Sequence, residues 1–206
     1  MSIVKLNNQA VKNATSFGSI SSLGSMVFIK KLTASSSATL SFVDGSDGVV
    51  LDDTYKEYVF TFKNIHPASN SAEFLFQTST DGGSSYGVTL TSTHFRSVHR
   101  ENDSYTELGY NSTYDLAQST SFQQLCRDIS NDNDISLNGT LNLFNPSSTV
   151  FVKHFIATVL SVDTDPASEN EYVAGYFNTT SAINAIQFKF DSGDIDSGVI
   201  KLYGIS

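Results

Sequence analysis

The chain has 206 residues and a net charge of −9, with 21 Asp and Glu against 12 Lys and Arg, which argues against nucleic acid or an anionic membrane as a partner. Its single cysteine excludes an internal disulfide, and no apolar run has the length of a membrane span or the form of a signal peptide, so we expect synthesis in a reducing cytoplasm. Fifteen Phe and nine Tyr without any Trp, among many Ser and Thr, favour strands over helices.

The first 25 residues are rich in Ser, Asn and Gly and contain one short apolar alternation, at residues 3–6. Such a segment is predicted to be either an edge strand lying over the domain or an arm used for docking and oligomerisation. No shift in composition follows it, so residues 26–206 are predicted to form a single domain.

Alternation of apolar and polar residues predicts the first four strands, at residues 26–32, 38–43, 55–65 and 72–79. The third of these ends at His66-Pro67, because proline cannot continue the ladder of a central strand. The fourth is predicted to form a hairpin with the segment after it, since Asp81-Gly82 is a strong turn signal.

The middle of the chain is less regular. Residues 97–114 are polar and are predicted to form a long surface loop. Residues 115–129 are predicted to form the one short helix, because Leu116, Phe122, Leu125 and Ile129 lie near helical spacing, although the run 119–121 weakens it. Strands then resume at residues 135–144, 149–162 and 172–178.

The last stretch, residues 185–206, contains two alternating segments on either side of an Asp-, Ser- and Gly-rich break, which predicts a hairpin with one buried face. We expect its core residues to be Phe188, Phe190, Ile200 and Leu202. The whole pattern predicts an all-β fold, an antiparallel two-sheet sandwich with a short inserted helix near 115–129. A jelly roll is the expected topology, and another Greek-key sandwich is the alternative.

Residues that could bind a metal do not converge in this pattern. His94 and His99, followed by Glu101 and Asp103, are five positions apart, so in a strand the two rings would point to opposite faces. Calcium favours clustered carboxylates in loops, but the stretch 128–139 lacks the Gly and the closing Glu of an EF-hand. We therefore interpret the acidic turns as solvated and predict no metal site; these turns carry Asp44, Asp47, Asp52, Asp53, Asp128, Asp132, Asp134, Asp191, Asp194 and Asp196.

Catalytic motifs are also missing from the sequence. Cys126 lies beside Leu125 on the apolar side of the predicted helix, where a packed small hydrophobic residue is expected. No Gly-x-Ser-x-Gly elbow and no phosphate-binding Gly loop occur, and no carboxylate pair is singled out for glycoside hydrolysis. We predict no catalytic or cofactor-binding residue, and hence a protein that is not an enzyme.

Tyrosines flank the polar stretches of the middle of the chain. Exposed aromatic rings with polar neighbours can bind sugars, whereas packed tyrosines expose only their hydroxyl groups. Both readings are open for the four candidates, which are Tyr86, Tyr105, Tyr110 and Tyr114.

Several blocks give the chain a resemblance to structural proteins of tailed bacteriophages, especially phages of marine cyanobacteria. They are VVLDDTYKEYVFTF (49–62), NIHPAS (64–69), STDGGSSY (79–86), LGYNSTYDLAQSTSFQ (108–123), LNLFNPSSTVFVKHF (141–155), AGYFNTTSAINAIQFKF (174–190) and IDSGVIKLYGI (195–205). The resemblance is one of whole-chain texture rather than of a catalytic signature, and it implies a β-sandwich component of the virion.

That resemblance gives the leading functional prediction, a non-enzymatic virion structural protein such as a capsid-decoration or tail-appendage subunit. Its partners would be copies of itself and other virion proteins, since virion parts recur on symmetry axes. The alternative is a receptor-binding module that recognises host surface glycans through loops at one end of the sandwich.

Overall fold

The computed structural model describes residues 25–206, and these form twelve strands and no helix. The predicted arm at residues 1–25 therefore falls almost wholly outside the described residues. The strands are β1 (Met26–Ser37), β2 (Leu40–Val43), β3 (Glu57–Pro67), β4 (Ala72–Ser79), β5 (Leu90–Arg100), β6 (Thr106–Tyr110), β7 (Gln123–Ile129), β8 (Leu137–Phe144), β9 (Lys153–Val162), β10 (Ala167–Phe177), β11 (Ala185–Phe190) and β12 (Ile195–Ile205).

The strands form two antiparallel sheets, which confirms the predicted all-β sandwich. The large sheet has the order β1-β12-β3-β8-β9-β10-β5-β6, and the small sheet has the order β2-β11-β4-β7. The first half of the large sheet and the whole small sheet together have the strand order of a jelly roll, with four strands in each sheet. Two insertions, β5–β6 and β9–β10, extend one of those sheets.

The core lies between the sheets and is built largely from aromatic side chains. Phe188 is fully buried at its centre, within ring contact of phenylalanines from both sheets. Phe190, Ile200 and Leu202 are also buried, as the alternation predicted. Each sheet contributes every second residue of its strands to this layer, because successive side chains of a strand point to opposite faces.

Two predicted hairpins are wrong in their pairing. β11 lies in the small sheet and β12 in the large one, so the break between them crosses from one sheet to the other. β4 and β5 are likewise in different sheets, and residues 80–89 between them contain no strand. In both places the turn residues are correct, but the chain changes sheet. From β11 to β12 the crossing belongs to the jelly roll, and from β4 to β5 it leads into the inserted strands β5 and β6 of the large sheet.

The predicted helix at 115–129 is also wrong. Residues 115–122 run alongside β5, where the backbone N–H of Leu90 donates to the carbonyl oxygen of Ser119 at 2.8 Å and Ser119 N–H donates back at 3.0 Å. Residues 123–129 form β7, which pairs with β4. Four consecutive residues of β7 are buried, from Gln123 to Cys126. The apolar spacing in the sequence therefore could not distinguish the two-residue alternation of a strand from the period of a helix.

The stretch predicted as a loop at 97–114 contains strand structure. β5 continues to Arg100, and after a short turn the chain returns as β6, which pairs residue by residue with β5. Most residues of β6 are exposed, which is why its sequence lacks an apolar alternation. This small strand forms the far edge of the large sheet.

Candidate interaction surface

The outer surface of β8, β9, β10, β5 and β6 carries no Asp, Glu, Lys or Arg side chain. Its outward positions are the even-numbered residues of β8, β9, β10 and β6 and the odd-numbered residues of β5, as strand register and burial show. We call this surface the neutral face. Charged residues reappear on the outer surface at β3, with Lys63, and at β12, with Lys201.

Large apolar side chains stand exposed on the neutral face. Their exposed fractions are 77% for Leu108, 57% for Tyr110, 53% for Ile156, 49% for Leu160 and 41% for Phe95. They come from three strands, β9, β5 and β6, and Tyr172 of β10, the strand between β9 and β5, lies among them. Single exposed apolar residues are ordinary, but a cluster of this kind marks an interaction site.

Two rings of the neutral face stack on each other. Phe95 and Tyr172 are cross-strand partners with ring centroids 4.8 Å apart and planes inclined by only 11°. The hydroxyl of Tyr172 accepts a 2.7 Å hydrogen bond from the Asn170 side chain, and the hydroxyl of Tyr110 donates to Asp115. Because Phe95 and Tyr172 stack face to face, their stacked faces contact each other, and a partner would contact the outward edges of the two rings.

The charged side chains of these same strands point inward. Glu169 and Glu171 of β10 are fully buried, Arg96 of β5 is largely buried, and Glu107 of β6 is half-buried. Arg96 donates to Glu169 at 2.5 Å and to Glu107 at 3.0 Å. Outer surfaces of sandwiches usually carry the charged residues. In this half of the large sheet the charged residues lie on the inner surface instead.

We call the inward group, which consists of His94, Arg96, Arg127, Glu169 and Glu171, the inter-sheet ionic cluster. Arg127 of β7 brings its Nε to 3.6 Å from Glu169 Oε1, and its backbone N–H donates to Glu171 Oε1 at 2.9 Å. His94 Nε2 lies 2.5 Å from Glu171 Oε2, although the two groups are not oriented as a hydrogen bond. The cluster thus connects β5 and β10 of the large sheet with β7 of the small one.

Two members of this cluster, Glu169 and Arg127, have shifted pKa values. Removal from water, together with the neighbouring charge of Glu171, raises the pKa of Glu169 to about 7, and the hydrogen bond from Arg96 opposes that change. The charges of Glu169 and Asp128 raise the pKa of Arg127, although burial works in the other direction. Near pH 7, Glu169 is therefore partly protonated.

The cluster contains groups that serve as acids and bases in enzymes, but these groups are enclosed. His94, Glu169 and Glu171 are fully buried. Cys126, the nearest thiol, is also fully buried, with Sγ 3.0 Å from the hydroxyl of Ser161, and burial raises its pKa well above the ordinary value. A thiol in this state is protonated and a poor nucleophile, in agreement with the packed role predicted for Cys126.

The histidines and acidic turns behave as ordinary structural residues. His94 points inward and His99 outward, where it contacts Asp103 at 3.0 Å, so the two rings diverge as expected. Asp44 accepts from Leu51 N–H at 2.8 Å, and Asp191 accepts from Glu73 N–H at 2.7 Å. Within residues 25–206, no group of three or more His, Cys, Asp or Glu side chains could hold a metal ion.

The four candidate tyrosines do not form one platform. Tyr105 and Tyr110 are exposed, whereas Tyr114 is half-buried, with Arg127 over its ring at 5.8 Å and the His94 ring at 5.6 Å. Tyr86 lines a groove of about 570 Å³ at one end of the sandwich. The other residues lining this groove are also uncharged, namely Thr80, Ser85, Gly87, Val88, Thr89, Thr120, Asn178 and Thr179.

Comparison of the chain with protein-family models, with curated proteins and with solved structures found no match. The resemblance to phage virion proteins therefore stays a prediction. In the part of the chain that the structure describes, no helix has the length and apolar character needed to cross a membrane.

Sequence reasoning missed both the neutral face and the ionic cluster. The predicted strand at 172–178 begins too late, whereas β10 begins at Ala167 and includes Glu169 and Glu171. A signal was present, because these two glutamates have the same parity as the apolar residues Val173 and Phe177. Charged residues at the same alternate positions of a strand as its core residues lie on the buried face, which indicates a buried ionic group and an opposite face without those charges.

Proposed function

We propose that this chain is a non-enzymatic structural protein of a phage virion, which acts by binding copies of itself and other virion proteins. The observation that carries the proposal is the neutral face, with its exposed apolar side chains. The jelly-roll strand order is compatible with it, because viral capsid domains use this topology, although lectins do so as well.

Electrostatics favour the neutral face as the contact between subunits. Each copy has a net charge of −9, so two copies repel one another over most of their surface. Contact through a surface without Asp, Glu, Lys or Arg avoids both like-charge repulsion and the desolvation of those charges. The cores of protein interfaces are depleted in charged residues and enriched in aromatic ones, which is the composition found here.

Sedimentation equilibrium of the purified chain tests the proposal. We expect an oligomer at micromolar concentrations, and we expect Ile156→Lys to convert it to a monomer by placing a charge in the neutral face. Thr33→Lys adds the same charge at an exposed position of β1 and should leave the oligomer intact. A wild-type chain that stays monomeric at millimolar concentrations would contradict self-association.

The virion part of the proposal has a separate test. Mass spectrometry of purified particles of the phage that encodes the chain should detect it in stoichiometric amounts. Deletion of residues 1–25 should abolish attachment to the particle if these residues are the docking arm, and should leave the sandwich folded. Absence from washed particles would exclude a virion component.

A second candidate function rests on the groove beside Tyr86. The groove is lined by one aromatic ring, hydroxyl groups and an amide, and none of its lining residues is charged. Such a lining suits a neutral saccharide, as the glycan-binding alternative requires. We expect Tyr86→Ala to abolish binding on an array of neutral glycans, while Tyr105→Ala leaves it unchanged. If the wild-type chain binds no glycan on the array, this function is excluded.

A further inference from the structure

The two sheets leave four edge strands among the described residues, β1 and β6 in the large sheet and β2 and β7 in the small one. An edge strand exposes unpaired N–H and C=O groups, which can pair with another chain. Proteins usually prevent such pairing by short strands, bulges, lysines or prolines. The four edges of this protein differ in this respect.

Three edges carry such a feature. β1 has a bulge between Phe28 and Lys30 and a second lysine, Lys31. β2 is only four residues long. β7 pairs with β4 through two register shifts and includes the charged residues Arg127 and Asp128.

The fourth edge, β6, is also short, at five residues, but it has no bulge, lysine or proline. Thr106–Tyr110 contains no proline and no lysine, and its pairing with β5 has no register shift. Its one charged residue, Glu107, is turned inward and held by Arg96 at 3.0 Å. The edge is therefore regular and electrically neutral.

The unpaired backbone groups of β6 belong to three residues. The N–H of Arg100 donates to Tyr105 O at 3.0 Å, and the N–H of Asn111 donates to His94 O at 2.8 Å, so the odd-numbered residues of this segment face β5. Because the ladder alternates, Thr106, Leu108 and Tyr110 direct their N–H and C=O groups away from β5. The same three residues place their side chains on the neutral face.

We propose that β6 pairs with β6 of a second copy, antiparallel about a two-fold axis beside Leu108, so that two large sheets become one. This inference rests on the proposed self-association and gives it a partner and a geometry. Leu108 would face the partner subunit's Leu108, and Thr106 would face the partner subunit's Tyr110. The three outward residues on each side would exchange about six backbone hydrogen bonds.

A second copy fits this edge better than an unrelated strand. The free set of residues is symmetric about Leu108, so every outward group meets an outward group when the strand pairs with itself. Leu108 and Tyr110 are also the two most exposed apolar residues at this end of the neutral face, and the pairing brings each beside its counterpart. Two copies would thereby join their neutral faces into one continuous surface.

Leu108→Pro in the full chain tests the pairing. Proline removes the outward N–H and leaves the ladder to β5 intact, because residue 108 does not donate to β5. We expect the dissociation constant of the dimer, measured by sedimentation, to rise at least about tenfold. Leu108→Ala keeps the N–H and should have a smaller effect, and equal thermal stability of the two variants would show that both are folded.

Cross-linking supplies a direct readout. Residues that exchange both backbone bonds have Cα atoms about 5.5 Å apart, within the range that a disulfide spans. Oxidation of Leu108→Cys should therefore give a covalent dimer. Ser97→Cys lies in the same row one strand inward, about 14 Å from its counterpart, and should give none. The buried Cys126 does not take part.

The outcomes separate this inference from the proposed function. A wild-type monomer would contradict both. An oligomer that survives Leu108→Pro and gives no Leu108→Cys cross-link, but dissociates with Ile156→Lys, would support assembly through the neutral face and overturn the pairing of β6. An oligomer that Leu108→Pro dissociates and Leu108→Cys traps supports self-association through β6; if Ile156→Lys leaves that oligomer intact, the neutral face is not the contact between subunits.

Discussion

Glu171 on β10 accepts a 2.9 Å hydrogen bond from the backbone N–H of Arg127 on β7, and this bond joins the large sheet to the small one. The carboxylate is fully buried and also lies beside His94. A buried acceptor in this position fixes where the two sheets meet at the inserted half of the sandwich.

Replacement of Glu171 by Ala should lower the free energy of unfolding by about 2–4 kcal/mol, because the buried N–H of Arg127 loses its acceptor. Glu171→Gln retains an acceptor and should recover part of the loss. Urea denaturation measures both values. Glu101→Ala removes an exposed glutamate and serves as the control; an equal loss in both alanine variants would contradict the role of Glu171.

Stability should fall as the pH rises through the range in which Glu169 ionises. Its pKa is raised from 4.5 to about 7 in the folded chain, so the folded state holds a proton that the unfolded state has released. The contribution is fully present below pH 4.5 and is lost by about pH 7, and it amounts to about 3 kcal/mol at most, because each pKa unit corresponds to about 1.4 kcal/mol.

Glu169→Gln should remove this component of the pH dependence, which urea titrations between pH 4.5 and 7.5 would detect. Unchanged pH dependence in the variant would contradict the assignment. Three charged or titratable groups act on Glu169 directly and stay in place in the variant, namely Arg96, Arg127 and Glu171. The groups paired with these three also stay in place, namely His94, Glu107, Asp128 and Asp163.

Phe188→Ala should destabilise the fold by about 3–5 kcal/mol, because it opens a cavity at the centre of the aromatic core. Phe151→Ala removes the same atoms from an exposed loop position and should change stability little. Differential scanning calorimetry compares the two. A thermal midpoint for Phe188→Ala close to that of the wild type would show that the burial of Phe188 is not required.

Gly198→Ala should cost about 2 kcal/mol of stability, because this residue has φ of +127° and an added Cβ would lie 2.6 Å from the carbonyl oxygen of Asn64. Gly87→Ala is the matched control, since its nearest contact would be 3.8 Å away. Chemical denaturation distinguishes them. Equal stability of the two variants would contradict the strained backbone at the irregular pairing of β12 with β3.

The sequence predicted the strands and the core far better than their partners. Alternation identified Phe188, Phe190, Ile200 and Leu202 as buried because it reports which face a side chain occupies. It carries no information on which strand lies alongside. The turns before β5 and before β12 therefore looked like hairpins, although both carry the chain across the sandwich.

The neutral face, the candidate interaction surface, could not be predicted from the sequence for a related reason. β6 is an exposed edge strand, so its sequence, TELGY, has no buried stripe to reveal it. β7 is buried over four consecutive residues, so its apolar spacing fitted a helix as well as a strand. Only the register of β5 against β10 and β6 shows that the charged residues share one face and leave the other without any.

The absence of Asp, Glu, Lys and Arg from the neutral face has a consequence for solution behaviour. Subunits joined through ion pairs separate as ionic strength rises, because counterions screen the attraction. In the proposed assembly the attraction is apolar and the opposing force is repulsion between copies of net charge −9, which is what added salt screens. Association of this protein should therefore tighten with sodium chloride and tighten further with sulfate, which strengthens apolar burial.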